Sequence, residues 1–177
     1  LKPGYVITSR GCPNRKCWFC SVPKREGNQV RELPITWGTN VLDDNLLACS
    51  EQPIRAVFAM LNRQEHRPVF TGGLEAARLR PWHVDLLREC RAKKMYFAYD
   101  TPDDLPPLIE AGKLLRDGGI PQNHHRACCY VLIGYRGDTM SAAEKRLRDT
   151  WAAGFVPYAM LYRDESGKVN DEWRRFQ

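Results

Sequence analysis

No stretch of this 177-residue chain approaches the ~18 apolar residues of a membrane span, and no membrane partner is expected. The longest apolar run, Ala127 to Gly134, has the length of a strand. Sequence repeats and low-complexity tracts are lacking, which excludes a solenoid or a linker-like chain. The start, Leu1-Lys2-Pro3-Gly4, has neither an initiator Met nor a basic-then-apolar leader, and reads as cut from a longer protein whose upstream domain is missing. The seven cysteines are an odd number, which argues against a complete disulfide framework. What is present is ordinary globular composition, 43% hydrophobic and 27% charged, at a length that suits one domain. Lys plus Arg number 27 against 21 Asp plus Glu, a net charge of +6.

Short β-rich runs alternate with helical patterns. Strands are expected at 5–9, 39–42, 69–71, 95–99, 129–134 and 156–162. Ser50 can cap a helix burying Ile54, Val57, Phe58 and Leu61, spaced i, i+3, i+4 and i+7. A helix from about Trp82 is expected to bury Trp82, Leu86, Leu87 and Cys90. Thr101-Pro102-Asp103-Asp104 reads as a cap, a first-turn proline and two first-turn acids. They precede a face of Leu105, Leu108, Ile109, Gly112 and Leu115. A last helix from about Asp138-Thr139 aligns Ala143, Leu147 and Trp151 and stops at Gly154.

Such βα repeats mean an α/β fold with a parallel sheet. Right-handed crossovers would curl six units into an open (β/α)6 partial TIM barrel over residues 1–162, leaving 163–177 as a polar tail or truncated element. The first crossover, residues 21–38, holds Pro23, Gly27, Pro34 and Gly38 and shows no helical pattern.

Three cysteines, Cys12, Cys17 and Cys20, lie within nine residues at spacing C-x4-C-x2-C, directly after the first expected strand. In a parallel barrel, loops at strand C-terminal ends form the active face. Three thiolates there can hold three irons of a [4Fe–4S] cubane and leave the fourth open to a small molecule. A structural zinc site is the competing reading, though no nearby Cys or His completes it; the closest are Cys49 and His66. Cysteines that simply pack in the core are the third.

The segment Thr8-Ser9-Arg10-Gly11-Cys12-Pro13-Asn14-Arg15-Lys16-Cys17-Trp18-Phe19-Cys20-Ser21-Val22-Pro23 resembles the cluster loop of radical S-adenosylmethionine (SAM) enzymes, particularly the cobalamin-dependent and related branches. The likeness extends over nearly the whole chain. Leu42-Asp43-Asp44-Asn45 resembles the D-D-N after the family's second strand. Ala98-Tyr99-Asp100 stands where the family has a ribose-binding polar residue. Leu132 to Thr139, with Gly134 at its turn, resembles the I-G-x-P-G-E-T segment after the fifth strand. Two departures are the extra residue between Cys12 and Cys17 and the Leu74 inserted in Gly72-Gly73-Leu74-Glu75, which resembles the family's G-G-E. That segment also follows the third expected strand, where the family has it after the second.

The resemblance implies a [4Fe–4S] cluster on Cys12, Cys17 and Cys20. SAM would chelate the open iron and, after one-electron reduction, yield a 5′-deoxyadenosyl radical that abstracts hydrogen from a substrate. It implies that Phe19 packs on the adenine. Gly72 and Gly73 would let backbone approach the ligand, Asp43, Asp44 and Asn45 would accept from the SAM amino group, and Asp100 would hold the ribose. A flavodoxin- or ferredoxin-type reductant would be the electron partner. An oxygen-sensitive cluster leads us to expect a reducing cytoplasm.

Residues 10–31 carry Arg10, Arg15, Lys16, Lys24, Arg25 and Arg31 against Glu26, nearly all the net charge. This is read either as attraction for an anionic substrate, nucleic acid included, or as compensation of the cluster and the SAM carboxylate. The non-enzymatic alternative is a zinc-stabilised basic domain that binds nucleic acid. Adjacent Cys128 and Cys129 point to opposite faces of a strand and cannot share one metal. Tyr99 and Tyr135 end strands and are candidates for lining a cavity, and His124-His125 is read as a solvated pair.

Overall fold

The computed structural model describes residues 2–121, 125–163, 167 and 170–177. The chain runs β1 (Tyr5–Val6), β2 (Ser9–Arg10), α1 (Val22–Arg25), β3 (Arg31–Glu32), β4 (Asn40–Val41), α2 (Glu51–Asn62), β5 (Val69–Phe70) and α3 (Pro81–Glu89). It continues through β6 (Lys94–Ala98), α4 (Leu105–Asp117), β7 (Ala127–Ile133), α5 (Met140–Ala152), β8 (Val156–Leu161) and α6 (Asp171–Phe176). Six strands form one parallel sheet in the order β1-β4-β5-β6-β7-β8, so the α/β class and all six expected strands are present. Each strand lies beside its predecessor, and α2 packs on α3, α3 on α4 and α4 on α5. Crossovers of one hand place the helices in a single layer on one face.

Strand parity fixes which side chains meet that layer. Met95, Phe97, Cys129, Val131 and Ile133 are at most 0% exposed and join the helices' apolar stripes in one core. Phe97 meets Phe155 edge-on at 5.1 Å, and Phe58 stacks on Phe70 at 5.4 Å. Full burial of each such side chain contributes about 1.5–3 kcal/mol.

The first crossover differs from expectation. Val22–Arg25 forms one helical turn with Pro23 in it, and β2 pairs antiparallel with β3. The helical faces also shift. Helix α3 buries His83, Val84 and Leu87 and leaves Trp82 and Leu86 half-covered. Ile109 is 39% and Trp151 65% exposed, and α5 buries Arg146 and Thr150 beside the expected Ala143. On α5 the buried face carries an ion pair: Arg146 Nη2 lies 2.8 Å from Asp138 Oδ2 and 2.9 Å from the Leu132 carbonyl, so the side facing the sheet is partly polar. Past Arg163, where a polar tail or a truncated element was expected, α6 is tied to the sheet. Trp173 is buried against Gly134, and the Gln177 side chain donates to the Ala159 carbonyl. No helix among the described residues is long and apolar enough to cross a membrane.

Candidate functional site

The loops at the C-terminal ends of β1, β4, β5 and β6 enclose a cavity of about 330 Å³. All three clustered cysteines line it, with Phe19 beside them. Asp44, Asn45, Gly72, Gly73 and Asp100 complete the expected part of the wall. Two expected residues stand outside it. The Asp43 carboxylate is buried beneath the cysteine loop, accepting from Thr8 N (2.6 Å), Thr8 Oγ1 (2.5 Å) and Ser9 Oγ (2.7 Å). It ties β4 to the segment that leads into Cys12. Gly134 adopts φ +75° and donates to Asp138 Oδ2, and a Cβ there would strike the Trp173 ring.

Asp44 continues this tie, accepting from Gly11 N (2.9 Å) and pairing with Arg10 (3.2 Å). Asn45 Nδ2 donates to Glu75 Oε2 at 2.6 Å and lies 3.3 Å from Cys12 Sγ. The segment after β4 and the Gly72-Gly73-Leu74-Glu75 segment after β5 therefore converge on one point. Glu75 also pairs with Arg78 at 2.6 Å. With Nδ2 committed to Glu75, Asn45 Oδ1 is a buried acceptor to which no group among the described residues donates. Such an atom costs free energy unless something supplies a donor.

The two glycines do different things. A Cβ on Gly72 would overlap the Asp43 carbonyl oxygen, so this glycine permits close packing of two strand ends. Gly73 has φ +103° and nothing within 4 Å of where a Cβ would stand, so it leaves a notch on the cavity wall.

Across the cavity Asp100 accepts from Leu132 N at 2.9 Å, and burial pushes its carboxyl up to about 6. Asp104 accepts from Asp100 N, Thr101 N and Thr101 Oγ1, holding this turn in shape. Burial, reinforced by Asp104, pushes the Cys17 thiol up to about 12, and burial also raises Cys20. A metal would offset that burial by stabilising thiolate.

The cysteine loop is also held from the far side. Trp18 packs edge-on against Phe19 (5.4 Å) and Tyr135 (5.7 Å) and lies 6.1 Å from Tyr162. Arg146 sits 5.3 Å over the Tyr135 ring, so the buried pair supports this contact from below. Tyr135 thus braces the loop, while Tyr99 turns into the core and donates to Asp149 at 3.3 Å. The basic stretch is partly neutralised: Arg10 pairs with Asp44, Arg31 bonds Glu26, and Lys16 lies 4.0 Å from Asp103.

Glu75, Asp103, Asp104 and Tyr130 also line the cavity. Asp103 and Asp104 were masked by their cap pattern, and Tyr130 by its place within an apolar run. Glu75 had a signal in its glycine-rich segment. His125 lies away from the site and His124 outside the described residues; Cys49, Cys90 and Cys128 do not line the cavity. Among the described residues no three or more His, Cys, Asp or Glu side chains gather as a site for one metal ion. A cubane requires a different arrangement, with each thiolate on its own iron. Compared with protein-family models and with curated proteins, the chain finds no match.

Proposed function

We propose that this chain is a radical SAM enzyme domain that holds a [4Fe–4S] cluster on Cys12, Cys17 and Cys20 and binds SAM in the adjoining cavity. The observation that carries the reading is the orphaned Asn45 Oδ1. It is a buried acceptor beside Cys12 and Glu75, in a cavity that also takes in Cys17 and Cys20. Those acceptors fit an ammonium-bearing ligand placed next to a thiolate-held cluster. When bound, the cluster would supply the single electron that cleaves SAM, whose 5′-deoxyadenosyl group would then take a hydrogen atom from the substrate.

The chain's own residues account for placement. Asn45 and Glu75 would accept from the amino group, with Asp44 fixing the loop above them through Gly11. The Gly73 notch would admit the ligand's backbone-sized part, and Phe19 would cover the adenine. Asp100, held by Leu132 N, would accept from the ribose. The Trp18–Tyr135 contact would hold the loop in place from its outer side. Curling of the sheet into an open partial barrel is supported by the same contact. The edge strands of a flat six-stranded sheet, five spacings apart, stand ~24 Å from each other, yet the loop after β1 reaches residues following β7 and β8.

The test is metal content after anaerobic reconstitution. The reading expects a brown protein with equimolar iron and sulfide that Cys17→Ala loses. A colourless protein that binds stoichiometric zinc would replace it with the zinc-stabilised alternative.

A further inference from the structure

With the helices layered on one side, the opposite face of β6, β7 and β8 has no helical cover among the described residues. A parallel sheet normally has both faces covered. By parity and register this face carries Tyr96, Ala98, Tyr130, Leu132, Tyr158 and Met160, with Cys128 buried beneath its neighbours at the β7 start. Tyr158 is 37% and Met160 45% exposed. An exposed apolar patch of this kind marks an interaction surface.

The patch is continuous with the cavity. Ala98 and Tyr130 are register partners that line the cavity floor, and Tyr96 and Tyr158 are the next residues along and across the sheet. Three rings are ordered there. Tyr96 stacks on Tyr130 with centroids 4.6 Å apart and planes 10° from parallel, and Tyr158 meets Tyr96 edge-on at 5.5 Å. One cation closes the row: Lys94 Nζ is 3.4 Å from the Tyr158 hydroxyl and 5.8 Å from its ring centroid.

We infer that this tyrosine face seats the substrate, and that the substrate carries a planar aromatic ring with an anionic substituent. The reading deepens the proposed radical chemistry, since it assigns the region next to the cofactor cavity. Parallel rings offer a flat π surface to a further ring, and Lys94 matches a carboxylate or phosphate on it. The acids of the cavity stay with the cofactor, so the two ends of the site differ in charge.

The test is titration of the reconstituted chain with 2-naphthoate, followed by ligand-observed NMR, against its saturated analogue decahydro-2-naphthoate. Planar naphthoate is expected to bind roughly tenfold more tightly, and Tyr130→Leu to remove that preference. Tyr158→Leu is the second variant should Tyr130→Leu fail to fold; it should reduce the preference, and Lys94→Gln should weaken both acids alike. Equal binding of the two acids, or a preference untouched in the folded variants, would overturn the inference. So would a dimer that blocks naphthoate and is lost in Met160→Glu, which would give the face to a second copy of the chain. Because naphthoate binding needs no SAM cleavage, binding without 5′-deoxyadenosine release would sink the radical reading alone. Release without binding would sink this inference alone.

Discussion

The two halves of the sheet are built differently. Strands β1, β4 and β5 have two residues each, whereas β6, β7 and β8 have five, seven and six. In the long-strand half the backbone ladder does the holding, aided by one buried ion pair, Arg146–Asp138. In the short-strand half side chains do it. Asp43 gathers Thr8 and Ser9, Asp44 gathers Arg10 and Gly11, Asn45 meets Glu75, and Thr71 bonds Asn40 at 2.6 Å. Short strands release backbone early into loops, and those loops carry the cysteines. The cysteine-bearing half thus owes its shape to side-chain bonds that a single substitution opens locally, whereas in the long-strand half a loss spreads through the whole ladder.

The sharpest way to break the comparison is within the cysteine loop. Cys17→Ala should abolish iron binding outright, whereas Cys90→Ala, in the core away from the cavity, should keep it and lose only about 1 kcal/mol of stability. Equal iron loss in both, read by metal analysis, would mean that the wrong cysteines carry the cluster.

Next in size is the buried pair of the ladder half. Arg146→Met leaves Asp138 charged and uncompensated, and should cost about 3–5 kcal/mol in denaturant unfolding. The loss should be global, and loosening of the Tyr135–Trp18 contact should shift tryptophan fluorescence as well.

His83 tests the helical layer by pH. Burial, aided by Arg80 and Arg55, lowers its imidazole to about 4, and Nδ1 accepts from Arg80 N at 3.0 Å. A lowered histidine binds its proton first in the unfolded chain. Its stability contribution is therefore intact at pH 7.5 and above and is lost as pH falls toward 4. The difference between the wild type and His83→Asn should shrink across that window by about 3 kcal/mol, read from unfolding curves at each pH.

The smallest effect belongs to the polar network. Asp43→Asn keeps the side chain's size but gives up a charged acceptor shared by three donors, a loss of about 2 kcal/mol. Its mark should be local, with faster amide exchange at Thr8 and Gly11 and weaker iron retention, while β7 and β8 exchange as before. Uniform loosening would erase the distinction between the halves.

Most of the architecture was legible in the sequence, because strand-sized apolar runs separated by 3.6-periodic stretches have few other solutions. All six strands of the sheet follow from those runs. The helical faces were less legible: Arg146 is buried by a partner eight residues away in the preceding loop, and periodicity scores such a position as solvent. The fate of the chain past Arg163 depended on one tryptophan, Trp173, finding the flank of Gly134. At the site, the cysteine spacing and the glycines are local signals and could be read directly. Asp43 could not be told from Asp44 and Asn45, since three consecutive polar residues point three ways only once the β1–β2 segment crosses above them.

Radical cleavage of SAM in the cavity bounded by the three cysteines and Asn45 is decided by incubating the reconstituted protein with SAM and dithionite under anaerobic conditions and quantifying 5′-deoxyadenosine by chromatography. Time-dependent release that Cys17→Ala abolishes is expected. Protein with a full complement of iron that releases none would contradict it.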